Sequence, residues 1–198
     1  MKKELPHFYI GNSYGGNQQW FKGFSMKIGG CAAETACDIC IYLDLYKKTK
    51  LYPFNINDLN KKDYIGFADM MKPYLHPRMG GIDKLSIFIE GFEKYIKNAN
   101  GKLSLSGIEG GELYEKARQT LIARIDDGNP AAFLCLLHKN KAFSDYKWHW
   151  FLINGYDIRD DKTLIKAVTY SEYEWLDFEE LWNSGYPQKG GMVFVSPI

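Results

Sequence analysis

Cys31 stands in the run Ile28-Gly29-Gly30-Cys31-Ala32-Ala33-Glu34-Thr35-Ala36, where two glycines lead into an apolar stretch of helical spacing. A thiol in the first turn of a helix meets the positive end of the backbone dipole, which favours thiolate over thiol and makes a nucleophile. His149 stands in Trp148-His149-Trp150-Phe151-Leu152-Ile153-Asn154-Gly155-Tyr156-Asp157, a strand-like run 118 positions further on. Imidazole is the side chain that takes and returns a proton near neutrality. A Cys and a His presented in this way suggest acyl transfer through a nucleophile and its base.

Two kinds of element must bring these residues together. Ala32, Thr35, Ala36, Ile39, Cys40 and Leu43 recur at helical spacing after Cys31, and Lys47-Lys48 suit the negative C-terminal end, so a central buried helix is expected. Further helices are expected over about Lys61 to Met71, Ile82 to Asn98 and Glu112 to Asp126, the last ending at Gly128-Asn129-Pro130. From Ala131 the pattern changes to buried strands: Ala131 onward, His149 to Tyr156, Leu164 to Tyr170, and Met192 to Ser196. Leu103 and Leu105 alternate with polar residues in a short strand-like piece. Helices first and strands last indicate one α+β domain over residues 1–198, its helices packed on an antiparallel sheet.

The short polar link Asp157 to Lys162 implies an antiparallel hairpin. With its turn near Asp160, position 149 falls opposite about 171, which puts Thr169, Ser171 or Glu172 in reach as the group that orients His149. Ser171 is the closest match. Asp157 lies eight residues from His149 on the same strand, about 26 Å away, and is too distant to serve.

Composition excludes other chemistries. Lys plus Arg number 25 against 24 Asp plus Glu, a net charge of +1, so no basic field argues for nucleic acid. The charged N-terminus has no apolar run behind it and no stretch reaches the length of a membrane span, so a cytoplasmic, non-membrane protein is expected. Of the four cysteines, 31, 37 and 40 share one expected helix, on which Cys31 and Cys40 are separated by roughly 13 Å; this argues against a disulfide framework. Cys37-Asp38-Ile39-Cys40 lies inside that helix without a second Cys pair, so burial outweighs a metal or redox role for Cys37, Cys40 and Cys135, and no cofactor is expected. His7, His76 and His138 read as structural or surface residues.

Three segments carry a family likeness: Gln18-Gln19-Trp20, Gly29-Gly30-Cys31-Ala32-Ala33, and His149 through Gly155-Tyr156-Asp157. Their types and order resemble the papain-like cysteine peptidases, in particular the small bacterial branch related to peptidases that process double-glycine leader peptides. The resemblance implies a thiol protease with Cys31 as nucleophile and His149 as base. It further implies Gln18, or its neighbour Gln19, as oxyanion donor, and a peptide or small amide as substrate. The family usually places Asp or Asn on the strand after the His strand, where this chain has Val168-Thr169-Tyr170-Ser171-Glu172. A hydroxyl there can fix the imidazole tautomer but stabilises its cation less than a carboxylate. An acyltransferase using the same dyad, and a binding protein of the same fold that has lost catalysis, are the alternatives.

Overall fold

A computed structural model describes all 198 residues. In chain order the elements are β1 (Lys2–Glu4), β2 (Tyr9–Ile10), β3 (Ser13–Tyr14), α1 (Phe24–Gly29), α2 (Cys31–Lys47), α3 (Lys61–Met71) and α4 (Leu85–Asn98). They continue as β4 (Leu103–Glu109), α5 (Tyr114–Asp126), β5 (Ala131–Cys135), β6 (His149–Arg159), β7 (Lys162–Thr169), β8 (Glu172–Asp177), α6 (Phe178–Trp182) and β9 (Gly191–Pro197). Short 3-10 turns cover Gln18–Trp20 and Lys141–Tyr146.

The α+β expectation is met, with a seven-stranded antiparallel sheet in the order β4-β9-β5-β6-β7-β8 and β1 added to β6. The eleven-residue β6 is its spine. On one edge β5 pairs with residues 149 to 153 and β1 with residues 155 to 157; on the other lies β7. The order is not simply helices then strands. β4 occurs before α5 and forms the sheet edge, while β1 brings the N-terminus onto β6. The short β8 and α6 carry too few residues of either period to stand out in sequence.

Helix α2 packs across β6 and is buried from Cys31 through Leu43, polar members included. Its first residues are small, which lets other backbone approach. At Gly30 a Cβ would collide with the Met26 carbonyl oxygen and lie 2.9 Å from the Phe21 ring, so only glycine fits. Helix α4 supports the start of β6: Trp150 stacks on Phe88 at 4.4 Å and donates its indole N–H to the Ile82 carbonyl at 2.7 Å. One continuous core of 55 buried residues joins helices and sheet. No helix is long and apolar enough to cross a membrane.

Candidate active site

Helix α1 stops at Gly29 and α2 starts at Cys31, with Gly30 serving as C-cap of one and N-cap of the other. Continuation of α1 would give the Lys27 and Ile28 carbonyls to the N–H groups of Cys31 and Ala32. Instead, the Gln18 side-chain amide donates to both carbonyls, at 2.9 and 3.2 Å. The N–H groups of Cys31 and Ala32 are left without a backbone acceptor and act on the Cys31 thiol. Here the structure corrects the direct oxyanion role for Gln18. Both hydrogens of its amide are committed to the Lys27 and Ile28 carbonyls. Gln19 is exposed and reaches only the Lys27 carbonyl, at 3.2 Å.

Cys31 is 7 % exposed. Burial pushes its thiol up to about 11, against the opposing pull of the Trp150, Ala32 and Cys31 N–H groups; the Glu34 carboxylate adds to the rise. Desolvation therefore outweighs the helix-start preference for thiolate. Burial also pushes Cys135 up, to about 12, and Cys37 and Cys40 well above the ordinary thiol value. All four are free thiols.

His149 opens β6 opposite Cys135. Its Nε2 lies 2.7 Å from Thr169 Oγ1, and its Nδ1 lies 3.4 Å from the Tyr170 hydroxyl. The Tyr170 ring covers the imidazole, with centroids 4.7 Å apart and planes within 5°. Burial alone lowers the imidazole pKa to about 4, so the ring is neutral at pH 7. In the tautomer that donates Nε2–H to Thr169 Oγ1, Nδ1 carries the lone pair that a base requires. No hydrogen bond joins Cys31 to His149, and at rest both the thiol and the imidazole are neutral.

The hydroxyl bonded to His149 Nε2 is that of Thr169, not Ser171. The pairs Leu152↔Val168 and Ile153↔Ala167 do extrapolate to 149 opposite 171. However, β7 ends at Thr169, and Tyr170-Ser171 form a two-residue turn into β8, both with positive φ (54° and 67°). That turn carries Ser171 onto the N-terminal loop, where its N–H donates to the Gly16 carbonyl at 3.0 Å and its carbonyl accepts from Tyr14 N–H at 2.9 Å. Glu172, paired with Thr169 at the start of β8, is exposed. Asp157 is held by Arg159 at 2.7 Å, at the far end of β6.

Two residues without a role in the sequence reading bind these parts together. Glu34, one turn after Cys31, accepts the Gln18 backbone N–H at 2.9 Å and is also stabilised by the Tyr170 N–H. Asp38, one turn further, accepts from the Tyr64 hydroxyl at 2.7 Å and Gly16 N–H at 3.2 Å. Burial raises both carboxyls, Glu34 to about 8 with help from the Asp38 charge, and Asp38 to about 7. Their signal in the sequence is a pair of carboxylates at i and i+4 within residues 31–43, a run otherwise apolar except for Thr35. No group of three or more His, Cys, Asp or Glu side chains converges as a metal site. Comparison with protein-family models and with curated proteins finds no match.

Proposed function

We propose that the chain is a thiol-dependent hydrolase of the papain-like type, a cysteine peptidase acting on a peptide or small amide. The observation that carries this reading is the pair of free N–H groups beside a thiol at the head of a buried helix, packed on the strand that begins with His149. Cys31 Sγ attacks the substrate carbonyl carbon as its proton passes to His149 Nδ1. The resulting oxyanion accepts hydrogen bonds from the Cys31 and Ala32 N–H groups. Collapse expels the amine, which takes the proton back from His149; water then hydrolyses the Cys31 thioester by the reverse proton route. Thr169 fixes the ring, and its neutral oxygen stabilises the His149 cation less than a carboxylate partner would.

Because both groups rest neutral, the proton moves during attack and not beforehand. Approach of the substrate must also bring thiol and imidazole into contact, a tightening common in free enzymes. The absence of a Cys31–His149 hydrogen bond at rest also favours the second reading, a papain-fold binding protein without catalysis. Mapping iodoacetamide adducts on the four cysteines by mass spectrometry separates them. The peptidase reading expects Cys31 to react first by a wide margin, and more slowly in His149→Ala. Equal rates at all four thiols would overturn it. An acyltransferase would pass this test as well and differs in whether water or an amine takes the acyl group.

A further inference from the structure

An open cavity of about 620 Å³ lies at the starts of α2 and β6, with Gly29 and Trp148 in its wall, two residues before Cys31 and one before His149. Exposed apolar side chains from three separate segments converge on it: Phe24 and Ile28 (81 % and 64 % exposed) from α1, Met79 from the Pro77–Gly81 loop, and Trp148 (48 % exposed). Large apolar groups left in water and gathered at one concave place mark a binding surface. Trp148 adopts φ of 54°, a conformation that costs energy for a bulky residue and that turns the chain into His149. Arg78 is the only charged residue of the wall and makes no salt bridge. Glu90 feels its charge only weakly and is itself bonded to Lys94. Cys31 is not in the wall, so the cavity suits a group flanking the scissile bond and not the bond itself.

Resting on the peptidase reading, we infer that this cleft takes a large aliphatic or aromatic side chain of a peptide substrate, with an acidic residue next to it paired to Arg78. Such a substrate differs from a Gly-Gly segment, which has no side chain to fill the cleft. The charge follows from complementarity, since a guanidinium with no carboxylate bonded to it favours an anion.

The test measures acylation of Cys31 by 4-nitrophenyl esters of N-acetylglycine, N-acetylleucine and N-acetylphenylalanine. In each, the Sγ–carbon bond forms, the ester C–O bond breaks, the thiol proton passes to His149 and nitrophenolate leaves. Rates are normalised to those of the same esters with free cysteine. The leucine and phenylalanine esters should acylate Cys31 about tenfold or more faster than the glycine ester, the scale of side-chain discrimination in an apolar pocket. Met79→Ser and Phe24→Ser should erase that ratio, with circular dichroism reporting the fold and iodoacetamide the thiol. Equal rates for the three esters would overturn the inference and leave the nucleophile standing. If no ester acylates Cys31, the peptidase reading fails. The cleft is then judged by tryptophan fluorescence of Cys31→Ala titrated with the capped peptides Ac-Leu-Phe-Glu-NH2 and Ac-Gly-Gly-Gly-NH2. Saturable binding of the first alone, weakened in Arg78→Gln, supports the cleft; equal or absent binding of the two overturns it.

Discussion

Replacing Glu34 by Gln should flatten the fall in stability between pH 6.5 and 8. Glu34 ionises near 4.5 when exposed but about 8 in the fold, and Asp38 moves from 3.8 to about 7. Over these windows the folded protein binds more protons than the unfolded chain, so stability falls as pH rises, by about 1.4 kcal/mol per pH unit for each group. His149 and His7 have the opposite sign. Burial lowers them from 6.5 to about 4 and about 3, so each adds stability as pH rises toward 6.5 and nothing beyond it. The two pairs oppose each other between pH 4.5 and 6.5 and leave a plateau. Above about pH 6.5 only the carboxyls remain, with Glu34 costing about 2 kcal/mol by about pH 8 and Asp38 about 1 kcal/mol or less. The glutamine amide keeps an oxygen for the Gln18 and Tyr170 N–H groups, so Glu34→Gln should remove the larger share of the decline with little loss at about pH 6.5. Urea denaturation at half-unit pH intervals reads both curves. A wild-type protein that gains stability over this range, or a Glu34→Gln variant with the full wild-type slope, would refute the assignment of Glu34 as a buried, proton-holding brace.

Thr169→Val leaves His149 Nε2 without its partner at 2.7 Å and should cost about 1–3 kcal/mol of stability together with most of the Cys31 reactivity. Ser171→Ala should leave that reactivity near wild type, since Ser171 Oγ reaches only the Gly16 carbonyl, at 3.4 Å; comparable losses in both variants would contradict the register. His149 should remain neutral down to about pH 4, and imidazole resonances followed by NMR that titrate near 6.5 would contradict its burial. Gln18→Ala exposes the Lys27 and Ile28 carbonyls to pairing with the N–H groups of Cys31 and Ala32. Acylation of Cys31 should therefore fall about tenfold or more with only a small change in alkylation. Equal losses in the two rates would mean that Gln18 acts on the thiol itself.

The helices and the later strands are legible because their apolar periods are long: α3 runs over Lys61–Met71 and the β6–β7 hairpin turns beside Asp160, as the spacing implies. Cys31 at a helix start follows from two glycines before an apolar run, and the structure adds why Gly30 is required at the helix junction. What escapes a sequence reading is set by contacts between distant segments. Counting along the hairpin puts 171 opposite 149, yet the chain has already turned at Tyr170-Ser171, where two non-glycine residues take a backbone conformation that composition does not advertise. Burial likewise reverses the electrostatic expectation for Cys31, because a dipole's partial charge cannot match the desolvation of a thiolate enclosed by α2 and β6. The two carbonyls that occupy the Gln18 amide belong to α1, a helix too short to be read from its period, so the sequence offers no rival to an oxyanion role.

The most direct measurement is capture of the acyl-enzyme. The protein is mixed with an activated N-acetylamino acid ester near neutral pH, quenched in acid and digested for mass spectrometry. One acyl group should be found, located on Cys31, absent in Cys31→Ala and formed about a hundredfold or more slowly in His149→Ala. A chain that acquires no acyl group, or one whose Cys31 acylates equally fast without His149, would contradict the peptidase reading.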